Sequence, residues 1–167
     1  TVRKPGFQVL ALSDDGRRLA LCDTKSITLW DLREPMPTPL TWQADTSLYG
    51  TVLSVNNEGI VAAIAGSLAE ANTAVLLVDV AAGRVLHRLP IRRAQNITFS
   101  PNGSVLAVGT LDRTVAMIDV ATGSERFTLR GNPQSAFGNV FSRDGRLLVS
   151  AGTDGLIRIW NVEPPEN

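Results

Sequence analysis

Side chains capable of acid–base, thiol or metal chemistry are few in this 167-residue chain. The single histidine, His87, stands beside Arg88, and the single cysteine, Cys22, ends an apolar run. One histidine cannot build a histidine-rich metal site, and one cysteine cannot form an internal disulfide. We expect His87 to be a structural or surface residue and Cys22 to be a small, buried, apolar side chain.

Five aspartates lie in turns and are the other candidates for chemistry. Carboxylates in turns usually accept hydrogen bonds from nearby backbone N–H groups. These five lack the Asp-x-Asp-x-Asp-Gly spacing of a calcium loop, and the chain has no GxSxG, P-loop, HExxH or CxxC sequence. We therefore predict no catalytic residue, no metal and no cofactor. The five are Asp14, Asp15, Asp112, Asp144 and Asp154.

The composition disfavours several classes of partner. Sixteen basic residues balance sixteen acidic ones, so there is no excess positive field for duplex DNA or an anionic membrane surface. No apolar stretch approaches the roughly 18 residues of a membrane span. A single cysteine fits a reducing compartment. We predict a cytoplasmic protein without nucleic-acid or membrane partners.

A repeat positions these side chains. Gly16, Gly59, Gly103 and Gly145 each end a polar turn between two apolar runs, and they are 43, 44 and 42 residues apart. Such turns need positive φ, which glycine supplies. A period near 42 residues with four short apolar runs per unit is typical of β-propellers. No helical periodicity accompanies it.

The repeat predicts an all-β chain of four antiparallel blades. Each blade has strands a to d, but the last one stops after strand c. Residues 1–47 form blade one, 48–93 blade two, 94–134 blade three, and 135–167 blade four with a C-terminal tail, all in one propeller domain. Strands b and c are apolar on both faces, as expected between neighbouring sheets, and Trp42 is expected in the core.

Two segments, 19–31 and 141–161, end in Leu-Trp-Asp and Ile-Trp-Asn and closely resemble WD40 repeats. Repeats two and three, with Asp-Val-Ala-Ala-Gly and Asp-Val-Ala-Thr-Gly, are also similar to YVTN-type propeller repeats. The resemblance implies a β-propeller, and it assigns a set of structural positions. Those positions are Trp30, Asp31, Asp112, Ser150, Asp154 and Trp160.

The repeats also depart from the WD40 pattern. WD40 blades often carry a hydrogen-bonded tetrad of Trp, Ser or Thr, His and Asp, and the Gly-His pair before strand a is missing from every repeat. Gly131-Asn132 stands in its place before repeat four. No blade is therefore expected to have a complete tetrad, and some rigidity must come from packing.

The phase of the repeat bears on the extent of the propeller. Residues 161–167 form a polar, proline-containing tail after strand c of blade four, and residues 1–6 do not resemble a closing strand. Four blades alone would leave apolar sheet faces in water. We expect the chain to be the C-terminal part of a seven- or eight-bladed ring. A closed four-blade ring and a dimeric eight-blade ring are the alternatives.

One rim of such a propeller carries the d-to-a and b-to-c loops. Here it has several arginines and few acids, including a long loop at 66–72. Arginine binds carboxylates and phosphates bidentately, so we predict binding of acidic or phosphorylated peptides. A solvated loop set without a special partner is the alternative. The candidate rim residues are Lys25, Arg92, Arg93, Gln95, Arg113 and Gln134.

The resemblance favours a non-enzymatic WD40-type scaffold whose rim loops bind peptides or domains of other proteins. A sensor or regulatory propeller attached to an upstream kinase- or protease-type domain is the alternative. A hydrolytic propeller would need histidines or acids on strands a, around the central channel. Those positions hold Ala11, Val52, Thr98 and Val140, which offer none.

Overall fold

The computed structural model describes residues 9–67, 72–131 and 136–162. Within these ranges the chain forms fifteen β-strands and no helix. The same ranges contain no helix suited to crossing a membrane. The all-β prediction is confirmed.

The strands form separate antiparallel sheets in which neighbours in sequence are hydrogen-bonded neighbours in space. The first sheet contains β1 (Val9–Leu12), β2 (Arg18–Cys22), β3 (Ser26–Asp31) and β4 (Leu40–Gln43). The second contains β5 (Leu48–Val55), β6 (Ile60–Ser67), β7 (Asn72–Asp79) and β8 (Arg84–Leu89).

The third sheet contains β9 (Ala94–Phe99), β10 (Val105–Thr110), β11 (Thr114–Asp119) and β12 (Glu125–Arg130). The fourth contains β13 (Ala136–Phe141), β14 (Leu147–Gly152) and β15 (Ile157–Asn161). Among the described residues there are thus three four-stranded sheets and one three-stranded sheet. This is the arrangement of blades that the repeat predicts.

A serine-centred turn explains why the a-to-b hairpin recurs. Ser13 Oγ donates to Asp15 Oδ1 at 2.6 Å and accepts from the Arg18 N–H at 2.9 Å. Asp15 Oδ1 also accepts from the Arg17 N–H, and Gly16 has a φ of 71°. Side-chain oxygens therefore satisfy the backbone of a turn that glycine permits. Ser100 with Asn102, and Ser142 with Asp144, repeat the same hydrogen bonds.

The chain divides into two compact units, residues 1–92 and 93–167. In the first unit, the first two sheets share an apolar core that contains Ile27, Leu76 and Val78. Trp42 and Cys22 are buried in this core, as the sequence predicts. Large aliphatic side chains on facing sheets thus remove each other's surface from water, which stabilises the pair.

In the second unit, the third and fourth sheets share a smaller core. Leu148 of β14 is fully buried with Val115 and Met117 of β11, and Phe141 and Trp160 pack against this cluster. The strand register places Phe141, Leu148 and Trp160 side by side on one face of the fourth sheet. That face is the packed one.

The opposite face of the fourth sheet is apolar but exposed, and we call it the outer face. It contains Val140, Leu147, Ile157 and Ile159, and Leu156 is exposed in the adjoining turn. Ile157 is 72% exposed and Ile159 is 69% exposed. The outer face of this sheet is therefore apolar and exposed, whereas the packed face combines Leu148 and Trp160 with the polar Ser150 and Arg158.

Candidate functional site

Backbone hydrogen bonds hold the predicted rim loops of the first unit. The Leu48 N–H donates to Thr24 O at 2.8 Å, and the Ala44 N–H donates to Lys25 O at 2.8 Å. The Gly66 N–H donates to Ser47 O at 3.0 Å. The loop between β2 and β3 therefore lies against the connection from β4 to β5, and that connection meets the end of β6.

Lys25 is held by its backbone while its side chain remains in solvent. Asp23 Oδ1 accepts from the Lys25 N–H at 2.8 Å and from the Ser26 N–H at 2.6 Å. The Lys25 side chain is exposed and makes no ion pair with any described residue. Arg92, in the connection after β8, is likewise exposed and unpaired within the described ranges.

In the second unit, two predicted rim segments are joined by a backbone hydrogen bond. The Leu111 N–H donates to Arg93 O at 2.9 Å. Arg93 Nη1 also donates to Asp112 Oδ1 at 2.9 Å, and both side chains are about half exposed. The sequence placed Arg93 on a rim with few acids, whereas the structure gives it an acidic partner. A carboxylate or phosphate ligand would compete with Asp112 for this guanidinium.

Arg93 and Arg113 share an uncommon backbone conformation. Their φ values are 56° and 68°, in the left-handed region that non-glycine residues seldom occupy. The Arg113 N–H donates to Thr110 O, which closes the turn between β10 and β11. Such positions persist where the surrounding structure holds them, and they concentrate at functional sites.

The remaining predicted rim positions are Gln95, the loop at 66–72 and Gln134. Gln95 Nε2 donates to the neighbouring Ala94 O at 3.3 Å, so this half-buried amide is partly engaged. The predicted long loop at 66–72 is shorter than expected, because β6 continues to Ser67 and β7 begins at Asn72. Gln134 lies outside the described residues.

The aspartates at the predicted structural positions bind turns and arginines. Asp31 accepts from Arg33 and from Arg18, whose Nη1 lies 2.8 Å from Asp31 Oδ2, and these contacts hold the pKa of Asp31 well below its usual range. Asp154 accepts from Arg158 Nη2 at 2.8 Å and from the Leu156 N–H, which also lowers its pKa. Asp112 pairs with Arg93 as described above.

The two tryptophans occupy comparable strand positions in different surroundings. Trp30 is buried in β3. Trp160 Nε1 donates to the buried Ser150 Oγ at 2.9 Å, across the β14–β15 pair. The indole N–H, which costs free energy when buried without a partner, is thereby satisfied.

Known sequence families match the second half of this chain. The family model described as WD domain, G-beta repeat, matches residues 87–119 and 123–161. The second match ends at Trp160 and Asn161, which includes the Trp160–Ser150 pair. The chain therefore contains WD40 repeats.

Curated WD-repeat proteins from distant organisms are similar to it. An uncharacterized WD repeat-containing protein of Synechocystis is 32% identical over 113 residues, which cover 66% of the chain and 31% of that protein. WD repeat and HMG-box DNA-binding protein 1 of Mus musculus is 32% identical over 69 residues, covering 41% of the chain and 6% of that protein. Actin-interacting protein 1 of Drosophila melanogaster is 29% identical over 72 residues, which cover 42% of the chain and 12% of that protein.

The matched part of the chain spans less than a third of each of these relatives. WD40 repeats generally form non-catalytic scaffolds for protein interactions, and the relatives suggest that general role for this chain. The described residues contain no group of three His, Cys, Asp or Glu side chains placed to hold a metal ion.

A pocket of about 280 Å³ lies within the second unit of this chain. Sequence reasoning missed it, because its residues come from different repeats and share no motif. The a-to-b turns of the third and fourth sheets border the pocket. Their Ser-x-Asx sequences are recognisable, but they do not indicate that a cavity lies between the two turns. Its lining includes Asn102, Met117, Arg126, Phe127, Phe141 and Arg146.

Proposed function

We propose that this protein, which contains WD40 repeats, is a non-enzymatic scaffold whose rim loops bind acidic or phosphorylated peptides of other proteins. The observation that carries the proposal is the exposure of Lys25 and Arg92 without an ion-pair partner among the described residues. Cations that are not neutralised within the protein remain available to an anionic ligand.

Fixed loop backbones support this function. The hydrogen bonds of Lys25 O, Thr24 O and Arg93 O to neighbouring loops restrain the segments that carry the cations. A restrained loop loses less conformational freedom on binding, so more of the contact energy appears as affinity. Arginine adds two parallel donors that match the oxygens of a carboxylate or phosphate.

The Arg93–Asp112 pair favours a strongly anionic ligand. Because Asp112 already occupies one guanidinium nitrogen, a neutral peptide gains little from Arg93. A phosphate carries close to two negative charges near neutral pH and competes better than a single carboxylate. Phosphorylated segments are therefore the preferred partners in this proposal.

We also propose that the four sheets are blades of a larger, seven- or eight-bladed ring in a cytoplasmic protein. The exposed outer face of the fourth sheet supports this, since Ile157 and Ile159 resemble blade-packing side chains left in water. The single cysteine, Cys22, is a buried thiol, which is compatible with a reducing compartment.

Reversing charge on the rim tests the binding proposal. We expect Arg92→Glu with Arg93→Glu to weaken binding of a fluorescent phosphoserine peptide without apolar residues by at least about tenfold, because two attractive contacts become repulsive. The melting temperature should stay unchanged, because exposed ion pairs contribute little to stability. Fluorescence anisotropy and thermal melts measure these quantities.

Arg143→Glu, compared with Arg92→Glu alone, provides the matched control, because each reverses one exposed arginine and Arg143 lies in the a-to-b turn of the fourth sheet. It changes net charge at the opposite strand end from the rim loops. Equal weakening by this control would mean that only overall charge matters. Unchanged binding in the double variant would refute the rim proposal.

A further inference from the structure

We propose that the pocket in the second unit is a separate site for an acidic peptide segment that inserts one aliphatic side chain. The pocket lies at the ends of the strands where the a-to-b turns occur, near Ser100–Ser104 and Asp144–Arg146. Arg93 and Arg113 lie at the other strand ends, in the d-to-a and b-to-c loops. This site is therefore independent of the rim.

The interior of the pocket is apolar. Met117 and Phe127 line it from the third sheet, Phe141 lines it from the fourth, and Val162 lines it from just after β15. Met117 is buried, whereas Phe127 is 39% exposed, so solvent reaches this apolar lining. A side chain inserted here would remove its own apolar surface and that of Phe127 from water, which is favourable.

The polar edge of the pocket presents mainly hydrogen-bond donors. Asn102 Oδ1 accepts from Ser100 Oγ, from the Ser104 N–H and from Ser104 Oγ, at 2.8 to 3.1 Å. Its oxygen is thus occupied, and its amide nitrogen donates to no described residue. A ligand at this edge therefore needs an acceptor.

The charged groups at the pocket favour the same ligand. Arg126 uses Nε and Nη2 to bind Asp119 Oδ2, and no described residue accepts from its Nη1. Arg146 also lines the pocket. The one acid in the lining, Asp144, already accepts from Ser142 Oγ and the Arg146 N–H through Oδ1. Asp119 and Asp144 balance the charges of Arg126 and Arg146, so a carboxylate would bind here through the two donors that no described residue occupies, Arg126 Nη1 and the Asn102 amide.

The volume of the pocket suits a single peptide side chain rather than a whole small molecule. About 280 Å³ is just below the roughly 300–1,000 Å³ typical of small-molecule sites. It suits one anchored side chain, with the neighbouring residues along the polar edge. The expected occupant is a leucine or isoleucine flanked by glutamate or aspartate.

Fluorescence anisotropy with a labelled Gly-Glu-Leu-Glu-Gly peptide tests the site on the purified protein. We expect saturable binding that weakens about tenfold when the leucine becomes alanine, because the apolar contact is lost. Replacing both glutamates with glutamine should weaken it by a similar factor, because the carboxylates are lost. No saturable binding, or equal affinity for all three peptides, would overturn the proposal.

Two protein variants locate the binding. Phe127→Ala and Arg126→Gln should each weaken the leucine peptide about fivefold to tenfold. Leu40→Ala and Arg130→Gln are the controls, because they change an exposed leucine of β4 and an arginine at the far end of β12. If Arg92→Glu with Arg93→Glu weakens binding of the leucine peptide, and the two pocket variants do not, the peptide binds at the rim and the pocket proposal is overturned. If the same double variant loses only the phosphoserine peptide and still binds the leucine peptide, the pocket proposal is supported and is independent of the rim.

Discussion

Replacing Leu148 with alanine is expected to lower the free energy of unfolding by about 2–5 kcal/mol. Leu148 is completely buried between the third and fourth sheets, with Met117, Phe141 and Trp160 around it. Truncation removes buried methyl groups and leaves a cavity, because the paired strands on either side cannot collapse into it. Urea denaturation followed by circular dichroism measures the change.

Leu147→Ala is the matched control in the same strand. Leu147 points to the outer face and is 40% exposed, so its truncation in the 167-residue chain should cost less than about 1 kcal/mol. The two variants remove the same atoms from adjacent positions. Equal costs would contradict the assignment of packed and outer faces in the fourth sheet.

Introducing lysines on the outer face is expected to abolish self-association of the 167-residue chain. Val140 and Ile159 flank Val149 across the sheet, and Ile157 lies two residues before Ile159 on the same face. Contiguous exposed apolar surface of this kind drives association. We expect Ile157→Lys with Ile159→Lys to sediment as a monomer at concentrations where the unsubstituted chain forms larger species. Sedimentation velocity over a concentration series separates the two behaviours.

Met36→Lys controls for hydrophobicity alone. Met36 is the most exposed large apolar side chain among the described residues, and it stands on a proline-rich loop outside the strands. This variant should associate like the unsubstituted chain. A monomeric unsubstituted chain, or unchanged association of the double lysine variant, would argue against the outer face as a surface that packs on another blade.

The sequence was most informative where local chemistry repeats. The Ser-x-Asx-Gly turns and apolar runs predicted the strands, because each hairpin is specified by residues within a few positions of one another. The burial of Trp42 and Cys22 followed from their place in those strands. Alignment of repeats also placed Trp160 and Ser150, which the structure joins by a hydrogen bond.

Contacts between residues far apart in the sequence could not be predicted from the sequence alone. Asp112 was assigned a structural role and Arg93 a binding role, yet their ion pair depends on how two loops meet after the bulge at Gly109 and Thr110. Left-handed φ values at Arg93 and Arg113 have no local signal, since that region usually selects glycine. The pocket likewise depends on the packing of two sheets.

The central claim is that the cationic rim loops bind phosphorylated peptides. Hydrogen–deuterium exchange, measured with and without a phosphoserine peptide that lacks apolar residues, tests it most directly, because it reports which backbone amides the peptide protects. We predict slower exchange in residues 91–95 and 110–113, where Arg92, Arg93 and Arg113 lie. Protection confined to the turns at 100–104 and 142–147, or no protection at all, would contradict the account.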